Sequence, residues 1–264
     1  MNSININDIY KWKRKKYKFA VITTYDYTFS RIFYNSGIKI MLVGDSLGMT
    51  FQGNKSTISV TTKDIIYHTK AVRKGSPNAF IISDLPFMSY STKELSYENA
   101  SKIIRSGANM VKIEGGKWLK NTIKKLTERS IPVCAHIGLK PQSINILGNY
   151  KVQGNTINSA NKILEEALSL EKAGAQIILI ECVPYKLAKK ITEKIKIPTI
   201  GIGAGKYTDG QVIVMHDALG LTEGKIPKFV KIFSNNKENI IQSIKKYIKE
   251  VELEIYPSKE HSFF

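Results

Sequence analysis

A set of residues fit for acid–base, metal or substrate chemistry recurs at one kind of place in this chain. Met41-Leu-Val leads into Gly44, Asp45, Ser46 and Gly48, and Ala79-Phe-Ile-Ile-Ser ends in Asp84. Met110-Val-Lys-Ile ends in Glu114 and contains Lys112; Pro132-Val-Cys-Ala ends in His136; Ile177-Ile-Leu-Ile ends in Glu181. Asp45, Asp84 and Glu114 close three consecutive apolar runs. Carboxylates brought together in this way repel unless a cation or protons sit among them. Oxygen-only ligands favour a hard ion such as Mg2+, which keeps waters and takes few protein carboxylates. The plainer alternative is three separate helix-capping or loop carboxylates.

Lys112 and Glu114 share parity, so both point the same way from an extended strand. A lysine inside a buried strand needs an anionic partner, which here is a substrate carboxylate or enolate. Otherwise its head reaches out past the strand end. Glu181 closes the most apolar run, and such walls raise a carboxyl's pKa toward that of a general base; a loop glutamate is the alternative. His136 is open between an acid, a ligand, a donor to substrate and a satisfied structural histidine. Cys134 and Cys182 lie in or beside apolar runs with no evident base to activate them, and read as packing residues.

The elements that must hold these groups follow from the runs themselves. Short apolar stretches ending in polar groups and glycines read as buried parallel strands breaking into loops. One chemically capable group at the end of each strand is how a (βα)8 barrel builds its active site. A barrel of that kind needs roughly 250 residues, and the chain has 264. We therefore expect an α/β fold, a single (βα)8 TIM barrel spanning 1–264. A short N-terminal helix within 5–17, a closing helix over 237–252 and a tail complete it.

The first strand is expected over 19–26 and the eighth over 212–215, followed by His216 and Asp217. From Asp26 to Asp217 the units recur about every 27 residues, enough for one strand and one helix each. Helices are expected over 27–36, 64–74, 92–106, 118–128, 158–173 and 186–195. Residues 49–62 alternate around Gln52-Gly-Asn and read as a loop or small hairpin. From Gly138 to Ile157 turn chemistry replaces any period, which marks a lid over the barrel mouth. Gly201-Ile-Gly-Ala-Gly205 misses the dinucleotide fingerprint, because Lys206 stands where its third glycine belongs. It reads as a tight turn or an anion-facing loop.

Composition narrows the class. The chain is 42% hydrophobic and 23% charged, as ordinary globular chains are, and no apolar run approaches the ~18 residues of a membrane span. The net charge of +18 raises the question of a nucleic-acid or acidic-membrane partner. The lysines are spread over most of the expected helices, so we expect a solvated basic surface, with neither nucleic acid nor membrane as partner. Cysteine usage fits a reduced, cytoplasmic chain.

Several longer motifs are similar to those of the ketopantoate hydroxymethyltransferase family. They are Val43-Gly-Asp-Ser-Leu-Gly-Met49, Asp84-Leu-Pro-Phe-Met88, Val111-Lys-Ile-Glu-Gly115, His136-Ile-Gly-Leu, Pro141-Gln, Glu181-Cys-Val-Pro184, Ile200-Gly-Ile-Gly-Ala-Gly205 and Asp209-Gly-Gln through His216-Asp217. Lys140 departs from the threonine that usually precedes Pro-Gln. The resemblance runs from about Phe19 to Phe233. It implies a barrel of the phosphoenolpyruvate/pyruvate type, Mg2+, 5,10-methylenetetrahydrofolate as one-carbon donor and 3-methyl-2-oxobutanoate as acceptor. It further implies Asp45 and Asp84 as direct metal ligands with Glu114 in the same shell. Asp45, Ser46, Asp84 and Lys112 then hold the keto acid and Glu181 accepts the proton, while His136 is a further candidate for substrate contact. Small-molecule substrates and a large homo-oligomer, commonly a decamer, also follow from the resemblance.

Overall fold

A computed structural model describes residues 3–234 and 239–264. Eight strands close into a parallel barrel in chain order. They are β1 Phe19–Thr23, β2 Ile40–Val43, β3 Phe80–Asp84, β4 Met110–Glu114, β5 Val133–Gly138, β6 Ile177–Glu181, β7 Thr199–Ile202 and β8 Gly210–Ile213. The helices are α1 Ile6–Arg14, α2 Tyr27–Ser36, α3 Leu47–Thr50, α4 Thr62–Gly75, α5 Lys93–Arg105 and α6 Lys120–Thr127. They continue with α7 Ile144–Leu147, α8 Ile157–Lys172, α9 Tyr185–Lys194, α10 Met215–Ala218 and α11 Ile240–Glu252. The chain is thus a (βα)8 barrel.

Side-chain alternation divides the strands into two surfaces. Phe19, Val21, Ile40, Leu42, Phe80, Ile82, Met110, Cys134, Ile177, Leu179, Ile200 and Val212 form one buried cluster, joined by Ile9 of α1. Their odd or even spacing within each strand puts them inside the barrel, with α1 against its N-terminal end. The intervening residues, such as Ile22, Met41, Ile81, Val111, Ala135 and Ile178, pack outward against the helices. Moving two residues further along the inward-facing series reaches Asp84 after Phe80 and Ile82. The same step gives Lys112 and Glu114 after Met110, His136 after Cys134, and Glu181 after Ile177 and Leu179. The apolar filling therefore gives way to polar groups at the C-terminal end of the strands.

Caps explain several boundaries. Asp26 does not extend β1: its side chain accepts from Phe29 N at 2.8 Å and caps α2, while Gly37 in the left-handed region (φ 114°) ends that helix. Thr61 with Asp64 and Thr156 with Ser159 form capping boxes for α4 and α8. The expected eighth strand is displaced toward the N-terminus, to Gly210–Ile213. Met215 instead opens α10 and donates its N–H to Thr23 Oγ1 at 3.0 Å. No hairpin forms over 49–62. Asn54 N reaches back to Gly48 O at 2.8 Å, folding the chain on α3. The helix expected over 118–128 begins as a tight turn, Lys117–Leu119, before α6.

The regular unit length also breaks down once. Residues 203–209 join the parallel neighbours β7 and β8 with no helix. So short a return needs sharp reversals, and Gly203 and Gly205 supply them at φ 60° and 74°. At the expected C-terminal helix, Lys237 and Glu238 lie outside the described residues, and α11 runs from Ile240. Tyr247 on its buried face lies 2.8 Å from both Val21 O and Gln211 O. The last residues fold back on the barrel: Tyr256 is buried, and Tyr185 N donates to Phe263 O at 2.9 Å.

At the opposite end, Asp209 Oδ2 accepts from Lys13 Nζ (2.9 Å), Thr199 N (2.8 Å) and Thr199 Oγ1 (3.0 Å). One carboxylate thus ties α1, β7 and the start of β8. Asp209→Ala strands a poorly solvated ammonium and two donors, and should cost roughly 3 kcal/mol in urea unfolding. A loss below about 0.5 kcal/mol, the range of an ordinary surface substitution, would show that this tie carries no stability.

Candidate active site

Strand register sets the first contacts. Asp84 on β3 stands opposite Lys112 on β4, Glu114 opposite His136 on β5, and Gly138 opposite Glu181 on β6. Lys112 Nζ lies 3.0 Å from Asp84 Oδ2 and 3.3 Å from Glu114 Oε1. His136 Nδ1 approaches the same Glu114 oxygen at 3.3 Å. On its other side, Nε2 lies 3.2 Å from Glu181 Oε2 without forming a hydrogen bond in this arrangement. Asp45, just beyond β2, offers its backbone N–H to Asp84 Oδ2 at 2.9 Å. Asp45, Asp84, Lys112, Glu114 and His136 are all buried, while the Glu181 side chain keeps 16% of its surface exposed.

These groups reshape one another's protonation. Burial, reinforced by Asp84 and Glu114, pushes the Asp45 carboxyl well above the ordinary carboxylate range. Burial also raises Asp84, against the opposing pull of Lys112. For Glu114, burial is outweighed by Lys112 and His136 together, which bring it down to about 2. Burial disfavours the charged form of Lys112, but Asp84, Glu114 and Asp45 overcome it and hold the ammonium well above its usual range. Burial and Lys112 likewise oppose His136, yet Glu114 and Glu181 raise it to about 9. The cluster is therefore rich in negative charge around Asp45, and Asp84 Oδ1 is buried with no hydrogen-bond partner.

Ser46 stands at the rim of this cluster, its Oγ 2.8 Å from the hydroxyl of Tyr25. Tyr25 is buried and its hydroxyl is pushed up to about 12, mainly by that burial; it stays neutral and fixes the serine. Gln142, from the segment after β5, donates Nε2–H to Asp45 Oδ2 at 2.8 Å and its backbone N–H to Glu114 Oε2 at 3.1 Å. Tyr90 donates to Gln142 Oε1 at 2.6 Å. The residue reading gave no role to Tyr25, Tyr90 or Gln142. Their one signal is position: Tyr25 follows β1, and Gln142 stands in the Pro141-Gln motif. Cys134 lies opposite Lys112, and burial pushes its thiol up to about 12. Cys182 is also raised by burial, so neither is poised as a nucleophile. Gly203 packs against Phe229 and Cys182, and Gly205 against Tyr185, which makes the loop after β7 a tightly packed turn.

Among the described residues, no three His, Cys, Asp or Glu side chains are arranged to enclose a metal by themselves. Both Glu114 oxygens are engaged: Oε1 meets Lys112 and His136, and Oε2 meets Gln142. The orphaned Asp84 Oδ1 and the charge-rich Asp45 still fit a hard cation that retains waters.

A parallel eight-stranded barrel with carboxylates, a lysine and a histidine converging at the C-terminal ends of its strands defines a (βα)8-barrel enzyme. The sequence model of the ketopantoate hydroxymethyltransferase family matches residues 3–259. The chain belongs to that family, and is a hydroxymethyltransferase. It is 60% identical over 263 residues to the 3-methyl-2-oxobutanoate hydroxymethyltransferase of Buchnera aphidicola subsp. Acyrthosiphon pisum (strain 5A), with 100% of both chains covered. It is 55% identical to the enzyme of the same name from Escherichia coli O157:H7, again over 263 residues and 100% of each chain.

Solved structures share the fold at low identity. A phosphonopyruvate hydrolase in complex with oxalate and Mg++ superposes with a TM-score of 0.64 at 11% identity, over 82% of this chain and 84% of that one. A 2,3-dimethylmalate lyase, a member of the PEP mutase/isocitrate lyase superfamily, gives 0.60 at 14% identity, over 82% and 80%. These likenesses show the same (βα)8-barrel fold.

Proposed function

We propose that the enzyme transfers a hydroxymethyl group from 5,10-methylenetetrahydrofolate to 3-methyl-2-oxobutanoate, giving ketopantoate for pantothenate synthesis through an enolate. The observation that carries this reading is the convergence of three buried carboxylates, with Asp84 Oδ1 unpartnered, on one lysine and one histidine at the barrel mouth. A divalent cation would relieve the repulsion among those carboxylates and draw in an anionic keto acid. Asp45 and Asp84 would hold the cation directly, with Glu114 in the same shell. Bound there, Mg2+ would supply Lewis-acid polarisation of the substrate's keto oxygen.

The chain's own residues supply the rest. Lys112, already paired with Asp84, presents its ammonium to the substrate's developing oxyanion or carboxylate. Ser46, fixed by Tyr25, donates to the carboxylate, and His136 lies within reach of the same pocket. Glu181 removes the proton from C3, and the carbanion forms the new C–C bond to the methylene carbon carried by the folate; both bonds from that carbon to the folate nitrogens break, water supplies its hydroxyl, and the nitrogens take up protons as tetrahydrofolate leaves. The fold-class relatives include a lyase, so the discriminating experiment is dependence on the donor. Purified protein should convert 3-methyl-2-oxobutanoate to ketopantoate only with methylenetetrahydrofolate and a divalent cation. Turnover without the folate would replace this reading with lyase chemistry.

We read the chain as a single barrel domain that works in the cytoplasm as a homo-oligomer, a decamer by analogy with the family. Neither nucleic acid nor membrane is a partner in this reading. No helix among the described residues is long and apolar enough to cross a membrane.

The segment from Gly138 to Ile157 would serve as the lid. Its inner end is seated in the cluster through Gln142, while Ile146, Tyr150 and Ile157 are exposed. Trypsin should cut this segment in the free enzyme and be slowed by keto acid with Mg2+; equal cutting in both states would make it an inert loop.

A further inference from the structure

We propose that Gln142 is a positioning residue that fixes Asp45 and Glu114 and ties closure of the post-β5 segment to the carboxylate cluster. This rests on the reading of those two carboxylates as cation-holding groups. The chain reaches this point through Gly138, whose φ of 88° lies in the left-handed region and where a Cβ would come within 2.3 Å of Glu181 O. That reversal, secured by Leu139 N donating to Glu181 O at 2.9 Å, turns the segment inward. A tight turn over Pro141–Ser143 then drives Gln142 into the barrel mouth, where it is 5% exposed.

Both donor hydrogens of the amide are used. Nε2 has two hydrogens and two acceptors, Asp45 Oδ2 at 2.8 Å and Leu85 O at 3.1 Å. The opposite flip would set Oε1 against both oxygens, so only one orientation is stable. Tyr90 reinforces it by donating its proton to Oε1 at 2.6 Å; the same hydroxyl lies 3.0 Å from Glu114 O. With the backbone N–H on Glu114 Oε2, this one residue binds the loops after β2 and β3 and the end of β4 from the loop after β5. A neutral donor suits the task. It holds one oxygen of Asp45 without cancelling its charge, which a lysine here would do.

The test uses the metal-stripped full chain, with Mn2+ as the probe. Gln142→Leu should weaken Mn2+ binding by about 10–100-fold, as loss of an outer partner of a metal ligand does. It should also speed tryptic cleavage after Lys151 in the metal-free protein. Tyr90→Phe keeps the fold and loses one neutral hydrogen bond, so it should weaken Mn2+ binding about fivefold. The double variant should be no worse than Gln142→Leu alone, because Tyr90 acts through the amide. Unchanged Mn2+ affinity in Gln142→Leu, additive losses in the double variant, or wild-type cleavage rates in both single variants would overturn the proposal. A wild-type protein that takes up no Mn2+ overturns the cation reading instead, and the cleavage rates then decide for or against the tether.

Discussion

Glu181→Gln is expected to slow exchange of the C3 proton of 3-methyl-2-oxobutanoate with solvent by about 10²–10⁴-fold, the usual worth of a positioned base. The substitution keeps size and shape and removes basicity. The other carboxylates are poorer candidates because each is buried and already holds a partner, and the unpartnered Asp84 Oδ1 is the atom proposed for the cation. Asp84 holds Lys112 and the Asp45 amide, Glu114 holds Lys112, His136 and Gln142, and Asp45 holds Gln142. Glu181 is the one that remains partly open, with only His136 beside it at 3.2 Å. It stands on β6, two strands from Lys112 on β4 with His136 of β5 between them, next to where a substrate held by the Asp84–Lys112 pair would sit. Loss of the C3–H signal in D2O, followed by NMR without the folate donor, isolates this step. Keto-acid binding should survive, since Glu181 is placed to touch the proton rather than the carboxylate. Exchange at the wild-type rate in Glu181→Gln would remove it from the chemistry.

What the sequence made legible was what repeats. Phe80, Ile82 and Asp84, or Ile177, Leu179 and Glu181, are inward-facing series in which apolar residues end in one polar group. Period-two alternation inside a barrel reads such a series directly. The convergence of Asp84, Lys112, Glu114, His136 and Glu181 follows from it. Gln142 and Tyr90 reach the same place by another route, through loops whose path depends on Gly138 and on the turn at Pro141, and no period encodes that path. Asp26 shows the converse: a carboxylate at the end of an apolar run that caps α2 rather than facing the mouth. The displaced β8 has a similar origin. Val214 and Met215 are as apolar as a strand requires, but the hydroxyl of Thr23 recruits the Met215 N–H to a helix start, a contact between residues far apart in the chain.

Removal of divalent cations by EDTA is expected to abolish turnover, and Mg2+ to restore it, while borohydride added with substrate leaves the protein's mass unchanged. A lysine buried in a barrel that handles 2-oxo acids invites an imine mechanism, and Lys112 is the residue it would use. The geometry opposes it. An imine-forming amine must spend time neutral, whereas Nζ lies 3.0 Å from Asp84 and 3.3 Å from Glu114, and opposite charges at such range favour the ammonium. Its raised pKa has the same sign, the carboxylates outweighing the burial that alone would have lowered it. Those carboxylates also suit a cation, since Asp84 Oδ1 is buried without a partner and burial, reinforced by Asp84 and Glu114, holds the Asp45 carboxyl well above its usual range. Asp84→Asn should therefore mimic loss of the metal, lowering turnover by at least about 10²-fold, the upper end for merely outer-sphere partners. It should also weaken Mn2+ binding measured apart from turnover. A stable mass adduct on Lys112 after borohydride, or full activity in EDTA, would sink the metal-assisted enolate and leave the lysine as the electron sink.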